Sequence, residues 1–248
     1  MGMDMKKFEF DISESRRNEI RASFTCVPTD FVMIYAAELN DNKNQQMIID
    51  AMKKIVPLYP NIKLLLAGDG PLKEKFEREI KESSLEKNVI LIGYRTDIPE
   101  LLKISDLYVA TSKREGLPVN ILEAIVAGLP LVVTNSRGQR ELVEDGKNGY
   151  VVNIGDVDSL VEKIQNIYLD NRMRSIIVKN AKSNIDKYTN LIQKCNEELA
   201  QIKKEYNESN NKLNSIREKN NKEKNDQSNY IKIIELSSLM EFSTIAQF

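Results

Sequence analysis

Between residues 31 and 168 the chain alternates between short apolar runs and segments in which apolar residues recur every three or four positions. Continuous apolar runs predict strands buried on both faces, and the wider spacing predicts amphipathic helices. We predict strands at 31–37, 62–67, 88–92, 106–110, 129–133 and 149–152. We predict helices at 44–56, 72–82, 98–104, 119–127, 139–144 and 157–168, after a short helix at 13–22.

This alternation of strands and helices predicts an α/β fold with a doubly wound, Rossmann-like parallel sheet. Such sheets bind ligands at the carboxyl ends of their strands, near the point where the strand order reverses. Functional residues are therefore expected in the loops that follow the strands. Those loops are 38–43, 68–71, 93–97, 111–118 and 134–138.

The pattern changes near residue 185, where the chain becomes polar and its apolar residues fall at heptad spacing. The positions are Ile185, Tyr188, Ile192, Cys195, Leu199, Ile202, Tyr206, Leu213 and Ile216, with Ser209 in the one gap. Two structures fit: a coiled coil that recruits a partner or a second copy through 185–216, or one long helix that frays after Tyr206. We favour the single helix, because Cys195, Tyr206 and Ser209 make a poor coiled-coil seam.

Residues 217–229 are rich in Lys, Asn and Glu and are predicted to be disordered or frayed. A short apolar run at 230–248 follows. The chain is thus divided into a lead-in with a short helix at 1–30, a sheet domain at 31–185, and a polar, helical and partly disordered tail at 186–248.

Charge and composition exclude several classes of protein. The 36 Lys and Arg residues nearly balance the 37 Asp and Glu residues, so no strong field attracts nucleic acid or an anionic membrane. No apolar run approaches the ~20 residues of a membrane span. Two cysteines without metal-ligand spacing fit a reducing compartment, so we expect a cytoplasmic protein, and peripheral attachment at the inner membrane face stays open. The complete lack of histidine excludes Ser–His nucleophile pairs and His-ligated metals.

The segment 112–124 has the pattern of an anion site beside two carboxylates. Pro118 suits the start of a helix, and Gly116 lets the backbone approach a ligand. The free N–H groups at that helix start could bind a diphosphate. Glu115 and Glu123 could face one crevice and accept hydrogen bonds from sugar and ribose hydroxyls. Two solvated surface glutamates would give the same spacing, so the pair alone does not decide between the two interpretations.

Further segments match a known family in the same order. They are Gly-Met-Asp at 2–4, Leu-Leu-Ala-Gly-Asp-Gly-Pro at 65–71, Ile-Gly-Tyr-Arg at 92–95, Gly-Leu-Pro at 128–130 and Glu-Leu-Val at 141–143. Together with the Glu-x7-Glu pair, they resemble the retaining glycosyltransferases of family 4 (group 1), which have the two-domain GT-B fold. The resemblance covers about residues 2–185 and implies that only the C-terminal, donor-binding domain is present.

The resemblance also implies roles for individual residues. Glu115 and Lys43 would be the catalytic pair, with Glu115 on the donor sugar hydroxyls and Lys43 on the diphosphate. The other donor-binding residues would be Gly116, Leu117 and Val119 at the diphosphate, Glu123 at the ribose, and Tyr94 and Arg95 at the base. The family often has an arginine where this chain has Glu38, which leaves the number of phosphate-binding cations open. Taken alone, Lys43 is better interpreted as a solvated lysine, which is what a lysine before a helix usually is.

The function implied by the resemblance is transfer of a sugar from a nucleotide-sugar donor, most commonly a UDP-sugar, without a metal or other cofactor. We expect a hexosyltransferase role in cell-surface polysaccharide or glycoconjugate synthesis. A second chain would supply the acceptor domain, without which this chain is expected to be inactive. The alternative is a non-catalytic module that binds a nucleotide sugar and associates with other proteins through its helical tail.

Overall fold

A computed structural model describes the backbone of residues 5–8 and 10–245. Side chains are described at 7, 8, 10–184 and 197–220 and at a few later positions. The predicted linker at 2–4 and the heptad residues at 185–195 lie outside these described side chains. The chain forms two compact units, which divide between Tyr188 and Thr189.

The first unit is built on one parallel sheet of six strands in the order β3-β2-β1-β4-β5-β6. The strands are β1 (Phe31–Ala36), β2 (Ile62–Ala67), β3 (Val89–Gly93), β4 (Leu107–Ala110), β5 (Leu131–Thr134) and β6 (Tyr150–Val152). All six predicted strands are confirmed, with ends that shift by one or two residues. The order reverses between β1 and β4, so the two central strands flank the switch point.

Helices cover the sheet, as expected for buried parallel strands. They are α1 (Glu14–Ser23), α2 (Gln45–Ile55), α3 (Lys73–Glu82), α4 (Ile98–Ile104), α5 (Val119–Ala127), α6 (Arg137–Leu142), α7 (Val157–Leu169) and α8 (Asn171–Ile245), after a 3₁₀ turn at Met5–Phe8 that we did not predict. Strands β1, β4 and β5 are buried along nearly their whole length. The predicted doubly wound α/β fold is therefore confirmed.

Local chemistry sets where several helices begin and end. Ser13 caps α1 by accepting a hydrogen bond from the Arg16 N–H at 3.2 Å, as Ser often does at this position. Helix α6 begins and ends about two residues earlier than predicted. The side chain of Asn148 explains its end, because its amide donates to the Leu142 carbonyl at 2.9 Å and its oxygen accepts from the Glu144 N–H.

A buried ion pair joins α1 to the amino end of the sheet. Arg21 is 3% exposed and donates to a carboxylate oxygen of Asp106 at 2.7 Å. The same oxygen accepts the Val32 N–H at 2.8 Å, and Arg17 binds the second oxygen. Asp106 therefore ties the helix to two strands at once.

We expect the substitution Asp106→Asn to lower the free energy of unfolding by about 1–2 kcal/mol, because Arg21 keeps an uncharged acceptor but loses its counter-ion. Urea unfolding followed by circular dichroism measures the change. Asp158→Asn is the matched control, since its carboxylate pairs with Lys54 in solvent and is 84% exposed. Equal stability of both variants would contradict a structural role for the Arg21–Asp106 pair.

The second unit begins at Thr189, within the long helix α8. The helix extends to Ile245 and includes residues 217–229, where we had expected disorder or fraying. Lys and Glu are good helix formers, and pairs such as Glu218 and Lys222 are spaced four residues apart, which supports a helix. All side chains from 197 to 220 are exposed. Within the described part of the chain, no helix has the length and apolar character that crossing a membrane requires.

Candidate functional site

The predicted site residues lie at the carboxyl edge of the sheet, around the switch point between β1 and β4. The loop after β1 contains Lys43, and the loop after β4 contains Glu115 to Leu117. Helix α5 follows with Val119 and Glu123, and the turn after β3 contains Tyr94 and Arg95. A larger cavity of about 730 Å³ lies at the opposite edge, near Phe31 and Asp106, and contains none of these residues.

Buried polar groups fix the two central loops against each other. The Tyr35 hydroxyl donates to the Lys43 carbonyl at 3.0 Å and lies 2.7 Å from the Ser112 hydroxyl. Thr111 donates to the Asn44 carbonyl at 2.8 Å. Burial raises the pKa of Tyr35 far above its ordinary value, so the phenol remains a neutral donor at physiological pH. These bonds hold the backbone at Lys43 beside the loop that contains Glu115.

The two predicted catalytic residues form an ion pair. Lys43 Nζ lies 2.6 Å from Glu115 Oε1, and the two side chains are only 22% and 11% exposed. A pair this sheltered interacts more strongly than one in solvent. Lys43 is therefore not the solvated lysine that its sequence position alone allows, and it is held at the mouth of the site by a carboxylate.

The start of α5 presents unpaired backbone donors beside this pair. Pro118 occupies the N-cap position and has no N–H to lose. The N–H groups of Val119 and Asn120, in the first turn, have no hydrogen-bond partner among the described residues. The Asn120 side chain donates to the Ala36 carbonyl at 3.3 Å and so joins α5 to the end of β1. Free N–H groups at a helix start attract anions.

A cavity of about 390 Å³ adjoins the same edge, between the ends of β1, β2 and β3. Its volume falls within the roughly 300–1,000 Å³ of ordinary ligand pockets. The lining residues are Ala36, Ala37, Glu38, Ala67, Gly68, Asp69, Tyr94, Arg95, Ile98 and Glu123. Three of the predicted donor-binding residues, Tyr94, Arg95 and Glu123, therefore share one cavity.

Glu123 is the half-buried carboxylate of that cavity. Burial raises its pKa above the ordinary value of a glutamate, because removal from water disfavours the charged form. A desolvated carboxylate accepts hydrogen bonds strongly from any hydroxyl that enters the cavity. Arg95 is not free to pair with Glu123, because its guanidinium donates to Asp97 at 2.8 Å and lies 5.6 Å from the Phe24 ring centre.

The structure separates the two glutamates that the sequence grouped together. Glu123 lines the cavity, whereas Glu115 points to Lys43 and lies outside the set of cavity residues. Tyr94 and Leu117 are 79% and 69% exposed, so both lie at the rim. The site is thus a cavity with one half-buried carboxylate, Glu123, and two exposed ones, Glu38 and Asp69, next to an ion pair and a helix start.

Sequence reasoning missed the supporting residues of this site. Thr134 donates to the Ser112 carbonyl at 2.6 Å, and it also contacts the Gln139 side chain. Asp97 orients Arg95, and Tyr35 orients the loop of Lys43. One sequence signal could have found some of them: a polar residue at or just after the end of a buried strand, as at 111–112 and 134.

Gly138 lets α6 approach the Glu115 loop closely. Its N–H donates to the Glu115 carbonyl at 3.3 Å, and a Cβ placed on Gly138 would lie 1.9 Å from the Gly116 carbonyl oxygen. No side chain fits at that distance. Gly138 lies at the end of the predicted loop 134–138, and this close approach is the physical reason for a glycine there.

Substituting Gly138 by Ala is expected to cost about 1–3 kcal/mol of unfolding free energy, because the Glu115 loop must move to admit a methyl group. Chemical denaturation measures this cost. Gly116→Ala is the matched control for stability, since a Cβ there meets nothing within 4 Å. A Gly138→Ala protein as stable as the Gly116→Ala protein would show that the loop yields without strain.

Across the described residues, no group of three or more Cys, Asp or Glu side chains is arranged to hold a metal ion. The positive charge near the site comes from Lys43, Arg95 and the start of α5, and from the exposed Arg114 in the loop after β4. Lys113, in the same loop, instead donates to Asp41 at 2.7 Å.

The fold is that of a Rossmann-like domain, as in one half of the GT-B fold, with a crevice at the carboxyl edge of its sheet. Residues 16–184 match the sequence pattern of glycosyl transferases group 1. The chain belongs to this family of glycosyltransferases.

Several relatives are similar over the same region. EpsD of Bacillus subtilis is 33% identical over 168 residues, which are 68% of this chain and 44% of that protein. An Escherichia coli UDP-Gal:alpha-D-GlcNAc-diphosphoundecaprenol alpha-1,3-galactosyltransferase is 30% identical over 78% of this chain and 50% of its own length. The chain therefore spans about half the length of these relatives.

A solved structure supports the same fold. Anabaena HepE in complex with UDP-glucose superimposes with a TM-score of 0.71 at 27% identity, covering 81% of this chain and 56% of HepE.

Proposed function

We propose that this chain is the donor-binding domain of a retaining, family 4 glycosyltransferase, which uses a UDP-hexose in the synthesis of a cell-surface polysaccharide or glycoconjugate. The observation that supports it is one sheet edge where the Glu123 cavity, the open start of α5 and the Lys43–Glu115 pair lie side by side. These three features suit, in order, a nucleoside, a diphosphate and a sugar.

The nucleoside would occupy the 390 Å³ cavity. Glu123 would accept hydrogen bonds from the ribose hydroxyls, which donate well to a desolvated carboxylate. The base would lie toward the turn of Tyr94 and Arg95, where backbone groups at the end of β3 can bind its edge. The apolar walls from Ala36, Ala67 and Ile98 favour a flat ring.

The diphosphate would lie at the first turn of α5. The Val119 and Asn120 N–H groups can donate to its oxygens, and the helix dipole favours its negative charge. Lys43 would supply a side-chain cation, which its ion pair with Glu115 holds in the site. Arg95 and Lys113 are engaged by Asp97 and Asp41. We propose that these groups replace a metal ion in stabilising the leaving diphosphate.

The sugar would lie beside Glu115, whose second carboxylate oxygen accepts no hydrogen bond from the described residues. Glu115 can thus keep Lys43 in place and accept a sugar hydroxyl together. Two similar proteins point to the donor class: the E. coli relative is named for UDP-Gal, and HepE was solved with UDP-glucose.

Acceptor binding would come from protein outside this sequence. The chain matches about half of its relatives' length. Positioning an acceptor hydroxyl contributes a large part of transfer catalysis. We therefore propose that this chain alone binds donor but transfers sugar very slowly.

Calorimetric titration with UDP, GDP and ADP tests the proposal. UDP should bind with a Kd between about 1 µM and 1 mM, and the other two at least tenfold more weakly. No binding of any nucleotide would overturn it. A chain that binds UDP-sugar, yet supports no transfer when an acceptor domain is supplied, would instead be a non-catalytic nucleotide-sugar-binding module.

A further inference from the structure

Helix α8 exposes a row of large apolar side chains to water. Leu199, Ile202, Tyr206, Leu213 and Ile216 each leave between 45% and 68% of their surface accessible. Isolated helices of this polarity are weakly stable without a packing partner. The exposed row therefore needs a surface to cover it.

The spacing of the row is that of a coiled coil. The steps are three, four, seven and three residues, with Ser209 at the skipped position. This period of 3.5 keeps the five apolar residues and Ser209 on one side of a slightly supercoiled helix. We call these six residues the seam. At about 1.5 Å per residue, the seam is roughly 25 Å long.

One flank of the seam changes sign along its length. Glu198 and Glu205 occupy the position before Leu199 and Tyr206, and Lys212 and Lys219 occupy the same heptad position farther on. All four are exposed. The flank is thus acidic in its first half and basic in its second half.

We propose that the seam packs against the seam of a second copy of this chain, in antiparallel orientation, about a two-fold axis near residues 207 and 208. A sign change along one flank is self-complementary about such an axis. Glu198 then faces Lys219 of the second copy, and Glu205 faces Lys212 of the second copy. Symmetry repeats both contacts, which gives four ion pairs.

The seam residues also pair well in this register. Leu199 packs with Ile216 of the second copy, and Ile202 packs with Leu213 of the second copy. Tyr206 lies against Ser209 of the second copy, so the largest side chain meets the smallest. Tyr206 and Ser209 each make a poor seam position, but in this register the two residues complement each other in size.

A parallel, in-register dimer fits less well. It would place Tyr206 against Tyr206 and Ser209 against Ser209 at successive layers, one crowded and one underfilled. In a parallel pair each flank residue faces the residue five positions farther along the second copy, so Glu198 would meet Lys203 favourably and Glu205 would meet the uncharged Asn210. Lys212 would then meet Arg217, and Lys219 would meet Lys224, which are like-charge contacts.

Sedimentation of the wild-type chain and two charge variants tests the proposal. The wild type should dimerise reversibly at micromolar to submillimolar concentration. Glu198→Lys with Glu205→Lys makes the flank uniformly basic and should weaken the dimer by about tenfold or more. Glu208→Lys with Glu218→Lys is the matched control, because these positions lie on the far sides of the helix and should leave the dimer intact.

The reverse variant decides the orientation. Lys212→Glu with Lys219→Glu makes the flank uniformly acidic, which repels in the antiparallel dimer but places Glu opposite Arg217 and Lys224 in a parallel one. The antiparallel dimer should therefore weaken by about tenfold or more, and mixing the acidic and basic variants should restore a heterodimer. Circular dichroism of each variant checks that the helix persists.

Three outcomes would overturn the proposal: a wild-type chain that stays monomeric at submillimolar concentration, a stronger dimer of the acidic variant, or no heterodimer on mixing. The proposal is independent of donor binding. UDP affinity should be equal in all these variants, so failure here leaves the proposed function untouched.

Discussion

Replacing Glu123 by Ala should weaken UDP binding about 100-fold. The ribose would lose a desolvated carboxylate acceptor, and each charge-assisted hydrogen bond contributes on the order of 1.5–3 kcal/mol. The UDP affinity of Glu123→Gln should fall between those of the wild type and Glu123→Ala, because an amide oxygen still accepts a hydrogen bond but carries no charge. Isothermal titration calorimetry with UDP measures all three proteins.

Stability measurements separate this effect from misfolding. Burial raises the pKa of Glu123, so its charged form is less favourable in the folded chain than in the unfolded chain at neutral pH. The neutral Glu123→Gln protein should therefore be at least as stable as the wild type at neutral pH. Weaker binding by a protein of undiminished stability would locate the loss in the cavity, and unchanged affinity would exclude Glu123 from the ribose site.

The raised pKa also gives a pH dependence with opposite signs for binding and folding. As pH falls through the raised pKa, Glu123 takes up a proton, so UDP binding should weaken earlier than an ordinary glutamate would allow. The folded state gains relative stability over the same range, since its carboxyl holds the proton more tightly than the unfolded one. Glu123→Gln lacks both effects, and subtracting its profile removes the titration of UDP itself.

The sheet could be predicted because its central strands are buried on both faces. Runs such as 62–67 and 129–133 are almost wholly apolar and too short for a typical helix, so their composition and length identified them as strands. Helix ends were less accurate, because they depend on single side chains from elsewhere in the chain. Asn148 ends α6 from six residues beyond the helix, and no local pattern reveals that contact.

The site was predicted as a set of residues but not as an arrangement. Glu115 and Glu123 lie in one sequence segment, yet the turn at Pro118 directs one toward Lys43 and the other toward β1 and β2. The Lys43–Glu115 contact joins residues from loops after two different strands. Such contacts follow from the strand order, which places β4 next to β1, and the sequence does not state that order directly.

Substitution of Lys43 by Met should weaken binding of both UDP and UDP-sugars by about 10–100-fold, since the diphosphate would lose the ammonium group of Lys43. It should also lower the free energy of unfolding by about 2–3 kcal/mol. That is less than the 3–5 kcal/mol for breaking a fully buried pair, because Glu115 stays 11% exposed. Calorimetry and urea unfolding measure the two effects on one sample.

The reciprocal substitution, Glu115→Gln, should affect the two ligands differently. UDP lacks the hexose that Glu115 would bind, and the substitution releases Lys43 from the Glu115 carboxylate. UDP should therefore bind as tightly as before or more tightly. A UDP-sugar should bind less tightly than to the wild type, because one sugar hydroxyl loses a charged acceptor. Equal losses for UDP and UDP-sugar would contradict the assignment of Glu115 to the sugar.

The double variant Lys43→Met with Glu115→Gln completes a thermodynamic cycle. Its unfolding free energy should recover toward that of the wild type, because no uncompensated charge then remains at the loop contact. Its UDP affinity should stay as low as that of Lys43→Met, since the cation is still missing. Recovery of stability without recovery of affinity would separate the two roles of Lys43, as the partner of Glu115 and as the charge that meets the diphosphate. If affinity also recovers, Lys43 only holds Glu115 in place, and the diphosphate depends on the start of α5 alone.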